Sequence, residues 1–178
     1  MPDLLEINLQ GLAMPIASAD ILYRLSGGAA NSSPLTSLGG VQSTAAVAGT
    51  DILDDVTSAE AAAGRTEYRC VYVRNNHGSL TLYAPFAWLN SNTPNTGTEV
   101  TIGLGTSAVN GTEQSVANET TAPAGVTFSL AASKGAGLAL ENLGPGQSRA
   151  VWIKRVVTAG APSIASDPFV LRVEGDTA

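Results

Sequence analysis

The residues of this sequence that could do chemistry are few. His77 is the single histidine, in the string NNHGS, and Cys70 is the single cysteine, in the string EYRCVYVRN. A Ser-His-Asp or Cys-His site needs a base beside its nucleophile, and the spacing indicates no partner for His77. We expect His77 to be a solvated turn residue and Cys70 to be a small core residue. The sequence therefore predicts no catalytic residues and no enzyme.

Metal and cofactor sites are equally poorly supported. One cysteine and one histidine cannot form a structural zinc site. The string DILDD offers the carboxylates of Asp51, Asp54 and Asp55, and calcium prefers oxygen ligands of this type. Their spacing does not match the EF-hand loop, so we expect a solvated acidic loop. The sequence predicts no metal and no cofactor.

Closely spaced glycines do not form a phosphate-binding motif. Lys134 is followed by Gly135 and Gly137, which neither match the P-loop pattern nor open a helix after a strand, so we expect a turn there. Asn110 and Asn118 each begin an N-x-[ST] triplet. Without a recognisable signal peptide, these triplets carry no weight as glycosylation sites.

Exposed aromatic rings are the remaining means of binding a small molecule. Carbohydrate-binding sandwiches use such rings as sugar platforms, and the candidates here are Trp88, Trp152, Tyr72 and Tyr83. Aromatic residues make up only 5% of the chain, and these four lie in strands whose phase indicates core packing. Sugar binding therefore remains a minor alternative.

Composition excludes further function classes. Charged residues make up 13% of the 178 residues, about half of the usual ~25%. The net charge of −6 argues against a nucleic-acid partner, because phosphate contacts need clustered Lys and Arg. No apolar run approaches the ~20 residues of a membrane span, so we expect a soluble chain made in the cytoplasm. Low charge suits an all-β domain with many turns, or a protein whose surface is largely covered by neighbours.

The elements that must position these residues are short strands bounded by Gly, Pro, Ser or Asn. Seven to nine such strands and no long helix predict an all-β fold, an antiparallel β-sandwich of immunoglobulin-like or jelly-roll-like type, with a barrel as the competing architecture. The strings that predict strands are LLEINLQ, DILYRL, EYRCVYVRN, SLTLYAPFAWLN, EVTIGLGT, VTFSLA, GLALENL, RAVWIKRVVT and PFVLRVEG.

The centre of the chain gives the sharpest local predictions. Thr57 or Ser58 should cap a short helical turn that Gly64 ends. The strand after it alternates, and the Asn/Gly turn at 75–78 predicts a hairpin with the following strand. Pro85 in that second strand should lie at an edge, a bulge or a break. The alternation places Tyr68, Cys70 and Tyr72 on one face and Val71 and Val73 on the other.

Two regions predict the division of the chain. Residues 26–50 are small and poor in large apolar side chains, as in a mobile linker or in an arm that becomes ordered on another surface. We therefore predict an N-terminal region of strands and arm at 1–50 and a β-sandwich domain at 51–178.

The stretch 143–160 concentrates positive charge. A turn at 144–146 should feed a strand in which neither face is purely apolar. We expect this strand near a sheet edge, with Arg149, Lys154 and Arg155 reaching solvent as rim contacts to an acidic neighbour at most.

Three segments carry a resemblance to a known family. Residues 54–77 contain G-x-T-E-Y-R-C before the strand VYVRN, and residues 143–157 contain a turn of the type L-x-P-G-Q/E-S before VWIKR. Together with residues 20–40, these resemble segments of structural proteins of tailed-bacteriophage virions. The resemblance covers a little over one third of the chain.

This resemblance implies a sandwich used as a component of a virion. It favours a capsid decoration, or cement, protein that binds the major capsid protein or other virion proteins as a homo-oligomer, a dimer or a trimer. A neck, tail or baseplate component is the first alternative, and a carbohydrate- or receptor-binding module is the second. No nucleic acid or membrane partner is expected, and the expected location is the virion.

Overall fold

The computed structural model describes residues 15–47 and 52–177, which form two packed antiparallel sheets. The five-stranded sheet has the order β1-β2-β7-β4-β5, and the three-stranded sheet has the order β6-β3-β8. The predicted all-β antiparallel sandwich is confirmed. Its elements are β1 (Ile21–Leu25), α1 (Ser58–Ala63), β2 (Arg65–Asn75), β3 (Leu82–Ser91), β4 (Thr98–Leu104), β5 (Phe128–Ser129), β6 (Leu138–Ala139), β7 (Ser148–Val157) and β8 (Val170–Thr177), with short 3-10 turns at Ser18–Asp20, Pro34–Thr36 and Lys134–Ala136.

The five-stranded sheet is covered on both faces. Residues of β2 alternate as predicted: Val71 and Val73 join the core between the two sheets, whereas Cys70 and Tyr72 join a second apolar cluster on the other face. That second face is covered by side chains of the 105–127 loop and β5, which include Val116, Val126 and Phe128. A strand buried on both faces needs no polar side, which explains the apolar character of residues 70–73.

The predictions for the helix cap before β2 and for Pro85 in β3 are confirmed. Thr57 caps α1: its hydroxyl accepts a hydrogen bond from the Glu60 amide, and the Glu60 carboxylate accepts one from the Thr57 amide at 2.9 Å. Gly64 ends the helix with φ of 78°. In β3, the pairing register shifts between Tyr83 and Phe86, so Pro85 lies at a bulge.

The predicted hairpin between the second and third strands is wrong. β2 pairs with β1 and β7, whereas β3 belongs to the other sheet and pairs with β6 and β8. The turn after β2 therefore carries the chain from one sheet to the other. Asn75, which is fully buried, fixes this crossing because its side-chain amide donates to the carbonyls of Leu80 and Leu143, each at 2.8 Å.

The prediction of an edge position for residues 148–157 is also wrong. β7 is the central strand of the larger sheet and pairs with both β2 and β4. The turn before it is as predicted: Gly146 has φ of 75°, and the Gln147 amide donates to the Gly144 carbonyl at 3.0 Å. Burial of Arg149 and Arg155 became possible because carboxylates elsewhere in the chain face them.

The predicted boundary at residue 50 does not divide the packing. β1 pairs with β2, and Leu25 is 1% exposed in the shared core. The segment 26–47 packs against β2 of its own chain, not against another surface. The hydroxyls of Ser26 and Ser37 donate to the Cys70 carbonyl at 2.9 and 2.7 Å. Small side chains permit this close approach, which is why the segment resembled a linker. The predicted strand at 4–10, the rest of the N-terminal arm before Pro15, and residues 48–50 lie outside the described residues.

Candidate functional site

Seven charged side chains meet where the first half of β2 lies beside the last half of β7. Three are guanidinium groups and four are carboxylates, and three members are almost fully buried: Arg69 is 0%, Glu67 1% and Arg155 8% exposed. We call this set the charged cluster. Its members are Asp54, Glu60, Arg65, Glu67, Arg69, Glu119 and Arg155.

The cluster joins segments that are far apart in the sequence. The Arg155 guanidinium contacts the Glu67 carboxylate on the neighbouring strand and donates to the Asp54 carbonyl at 2.6 Å. Arg69 contacts the carboxylate of Glu119, from the 105–127 loop, and lies 3.5 Å from that of Asp54. Arg65 also contacts Glu119. The ion pairs therefore fasten the segment before α1 and the 105–127 loop to the sheet.

Burial and pairing act in opposite directions inside the cluster. Burial raises the pKa of the Glu67 carboxyl, and the attraction of Arg155 offsets only part of this effect. In contrast, the pKa of Glu60 at the helix N-terminus is lowered by hydrogen bonds from Thr57. Burial disfavours the charged form of Arg65, but the nearby carboxylates of Glu119 and Glu60 raise its pKa overall.

Part of the cluster has the ligand set of a cation site. Carboxylate oxygens of Asp54, Glu67 and Glu119 lie within 4.8 Å of one another. However, each of these carboxylates is contacted by a guanidinium, from Arg155 or Arg69 among others. The guanidinium groups supply the positive charge that a bound cation would otherwise supply, so the arrangement is an ion-pair network and not a metal centre.

A second polar site lies on the other face of the sheet, below the 105–127 loop. Glu113 is 2% exposed, and its carboxylate accepts hydrogen bonds from the Ser107 amide at 2.9 Å, the Thr106 hydroxyl at 3.0 Å and the Trp152 indole at 3.3 Å. Burial alone would raise the pKa of Glu113, but these hydrogen bonds lower it to about 2. The Glu113 amide in turn donates to the Tyr72 hydroxyl at 3.0 Å.

Cys70 and three of the four aromatic candidates are buried. Cys70 is fully buried, and burial raises the pKa of its thiol far above the usual range. Burial likewise raises the pKa of Tyr72 to about 12, and its hydroxyl donates to the Gly40 carbonyl at 2.6 Å. Trp88 and Trp152 are 6% and 0% exposed, so neither is a sugar platform. Only Tyr83, at 41% exposed, presents an open face among the four aromatic candidates.

His77 organises the turn that follows β2. Its ring nitrogen Nδ1 accepts hydrogen bonds from the amides of Ser79 and Leu80, at 3.2 and 2.9 Å. The His77 amide donates to the side chain of Asn75 at 3.0 Å. The histidine is therefore half-buried in a turn as a structural acceptor, rather than fully solvated as predicted.

The other nominated side chains lie at the surface, apart from one another. Asp55 is exposed, and Asp51 lies outside the described residues, so only Asp54 of the acidic string takes part in the cluster. Lys134 begins a 3-10 turn and pairs with Glu174 at 3.0 Å. Asn110 and Asn118 lie in exposed turns.

A polar cavity of about 470 Å³ adjoins the charged cluster. It is lined by Asp54 and Arg155, by Thr93 and Asn95, and by the segment 161–169. The Asn95 side chain donates to the Pro162 carbonyl at 2.8 Å, which fixes one wall. The cavity offers hydroxyl, amide and carboxylate groups with one aromatic ring, and this chemistry suits a polar ligand better than an apolar one.

The sequence patterns did not identify four residues of these two polar sites: Glu67, Arg69, Glu113 and Glu119. One signal was available: Arg65, Glu67 and Arg69 alternate in phase with Val71 and Val73, so a charged run occupies the inward face of a strand. Charges in that phase must find partners inside the protein. Glu113 and Glu119 gave no such signal, because the 105–127 loop has no periodicity.

Protein-family models, curated proteins and solved structures contain no match to this chain. In the described parts of the chain, no helix combines the length and the apolar character that a membrane crossing needs.

Proposed function

We propose that this protein is a non-enzymatic structural protein of a bacteriophage virion, and that it decorates the capsid by binding the assembled lattice of the major capsid protein. The virion assignment rests on the resemblance of residues 20–40, 54–77 and 143–157 to phage structural proteins. The decoration role is an inference by analogy, since a sandwich fold hosts many functions.

The observation that carries a structural role is the use of the buried charges. The charged groups of Arg155 and Glu67 contact each other, and Arg69 contacts the Glu119 carboxylate. Glu113 accepts hydrogen bonds from the Ser107 amide and the Trp152 indole. These contacts fasten the segment before α1 and the 105–127 loop to the sheet. A rigid body of this kind suits a component that must keep its shape under mechanical load.

The surface supports the same proposal. A low content of charged residues suits a chain whose faces are covered by repeated contacts, where charged side chains are depleted. A net charge of −6 would keep the unassembled protein soluble. A protein that binds only the assembled lattice stabilises it by mass action, without any chemical step.

The test is the composition of purified particles of the phage that encodes this chain. Quantitative mass spectrometry should find the protein in mature heads at a copy number comparable with that of the major capsid protein. Particles that lack it should release DNA at a lower temperature, and purified protein should restore the stability. A few copies per particle would instead support a neck, tail or baseplate position. Absence from purified particles would overturn the virion assignment.

The polar cavity beside the charged cluster favours a second candidate, a carbohydrate- or receptor-binding module. Its walls include Thr93, Asn95 and Phe169. Titration calorimetry against a panel of host-surface glycans tests this candidate, with Asn95→Ala as the variant that should weaken any binding. If no glycan binds, the carbohydrate-binding candidate is rejected and the decoration role is the proposal that is kept.

A further inference from the structure

The outer edge of β8, on the side away from β3, has no strand partner among the described residues. β8 pairs with β3 on one side, and within residues 15–47 and 52–177 no strand pairs with its other side. Among the described residues, the Tyr23 hydroxyl donates to the Leu171 carbonyl of β8 at 3.1 Å. An eight-residue strand with an open edge is a template for pairing with another chain.

The other sheet edges are short or covered. β5 and β6 have two residues each. The outer side of β1 is covered by the following segment, since the Leu25 amide donates to the Ala45 carbonyl at 3.1 Å and the Val47 amide donates to the Tyr23 carbonyl at 2.8 Å. β8 is therefore the one long edge left open in the described part of the chain.

The side chains of β8 alternate between two environments. Leu171 and Val173 point inward and are partly buried, and they line a groove of about 360 Å³ together with Ile16 and Ile21. Val170, Arg172, Glu174 and Asp176 are exposed on the opposite face. On that exposed face Arg172 lies two residues from Glu174 and four from Asp176, so the complementarity of the face to a second copy of itself can be worked out directly.

We propose that β8 pairs antiparallel with β8 of a second copy, about a two-fold axis that passes through Val173. A two-fold axis normal to the sheet places residues of equal parity opposite each other. With Val173 opposite itself, Arg172 lies opposite Glu174 of the second copy, and the symmetry produces this pair twice. Val170 then lies opposite Asp176, and Leu171 lies opposite Gly175.

Charge selects this register over its neighbours. Moving the axis to Arg172 places the two copies of Arg172 opposite each other. Moving it to Glu174 places the two carboxylates of Glu174 opposite each other, although it also places Arg172 opposite Asp176 twice, so only the axis on Val173 pairs opposite charges without a like-charge pair. Moving it to Gly175 places Glu174 opposite Asp176 twice. Like charges directly opposite are destabilising and opposite charges are stabilising, so the register centred on Val173 is preferred.

Arg172 and Glu174 already have partners within one copy. Arg172 lies 3.5 Å from Glu174 and over the Trp88 ring at 5.5 Å, and Glu174 also binds Lys134 at 3.0 Å. Trp88 and Lys134 lie on the β3 side of β8, so pairing with a second copy exchanges part of these surface contacts for the two ion pairs between the copies, which limits the gain. The new interface is a single strand pair, smaller than the ~1,200 Å² of stable complexes, so we expect dissociation at micromolar concentrations. The inference is independent of the virion assignment.

Charge reversal gives the first test. Sedimentation equilibrium of the full chain should show a monomer–dimer equilibrium. Arg172→Glu or Glu174→Arg alone creates two like-charge pairs and should weaken dimerisation about tenfold or more. An equimolar mixture of the two single variants restores both ion pairs and should dimerise as well as the unaltered protein. Glu99→Arg, an equal charge reversal on an exposed position of β4, is the control and should have no effect.

A cross-link tests the register. Val173→Cys places the new thiol opposite its own copy, within reach of a disulfide, so mild oxidation should give a covalent dimer. Val170→Cys is the matched control on the same strand, where the two thiols would lie far apart. The native Cys70 is fully buried and does not compete. Faster cross-linking of Val170→Cys than of Val173→Cys would contradict the proposed register.

The remaining outcomes also decide. A protein that stays monomeric up to millimolar concentration would overturn the proposal. Hydrogen exchange of the β8 amides separates the possible occupants of the edge: protection by a second copy rises with protein concentration. Protection that is complete at the lowest concentration would mean that another part of the same chain covers the edge, and this result would also overturn the proposal.

Discussion

The indole Nε1 of Trp152 donates to the carboxylate of Glu113, 3.3 Å away, although the two residues lie on different elements, the central strand β7 and the loop 105–127. Both side chains are almost fully buried. The loop thus reaches the centre of the larger sheet with a negative charge, and hydrogen bonds from Thr106, Ser107 and Trp152 stabilise this charge. Loss of the Glu113 carboxylate should therefore weaken the packing of the 105–127 loop on that face of the sheet.

Glu113 should make stability depend on pH. Its pKa in the folded protein is lowered to about 2, below its value in the unfolded chain, so its contribution is present above pH ~4.5 and is lost as the pH falls toward 2. The full contribution is about 3 kcal/mol. Glu113→Gln should lower the free energy of unfolding at pH 7, measured in urea, and should flatten its decline between pH 4.5 and 2.5. The exposed control Glu99→Gln should change neither quantity, and an unaltered pH profile in Glu113→Gln would contradict this assignment.

Removing one cation from the charged cluster should be costly. Arg155→Met leaves the buried Glu67 carboxylate without its closest cation, so we expect a loss of about 3 to 5 kcal/mol in the free energy of unfolding. Lys154→Met is the matched control, because its side chain is on the opposite face and half-exposed above the Phe128 ring. It should lose less than about 1 kcal/mol. Equal losses in the two variants would mean that the ion pairs contribute little.

Alanine substitutions at two glycines should distinguish the cost of a steric clash from the cost of backbone strain. Gly39 and Gly28 both have positive φ, of 90° and 115°. A Cβ on Gly39 would lie 1.8 Å from the Gln114 carbonyl oxygen, whereas a Cβ on Gly28 would meet nothing within 4 Å. Gly28→Ala should cost about 1 to 2 kcal/mol from strain alone, and Gly39→Ala should cost clearly more. Urea unfolding measures both, and equal costs would mean that segment 26–47 does not pack against the 105–127 loop in solution.

Cys70 should report on global unfolding. Because the thiol is fully buried and its pKa is raised, a disulfide reagent should modify it no faster than the sheet opens. In denaturant the reaction should be complete within the mixing time. Ser163→Cys, at an exposed position, is the control and should react at once in the native protein. Rapid labelling of native Cys70 would show that the second face of the sheet is open.

The sequence predicted those parts of the fold that local patterns determine. The alternation of residues 68–73, the cap at Thr57 and the irregularity at Pro85 each depend on neighbours within a few positions. Each is confirmed, and of the edge, bulge or break predicted at Pro85 the structure has the bulge. The β2–β3 hairpin was wrong because a tight turn brings two strands close without fixing whether they pair or enter different sheets. That choice depends on β7, about eighty residues away from β2.

The site was harder to predict for the same reason. Arg155 appeared to need solvent because nothing within its strand neutralises it. Its partners, Glu67 and Asp54, are supplied by β2 and the segment before α1, and only the folded sheet brings them together. The 26–47 segment resembled a linker because small residues serve both flexible chains and tight packing.

The pairing of β2 with β7 has a consequence for the rate of folding. Every registered pair between these strands joins residues roughly eighty positions apart, so this central ladder cannot form until β7 has been synthesised. Closing such long loops makes the barrier to folding high. The barrier to unfolding should be high as well, because both faces of the five-stranded sheet are covered. We therefore expect the chain to fold slowly after synthesis and, once folded, to unfold slowly. The lifetime of the native state is then set by its unfolding rate.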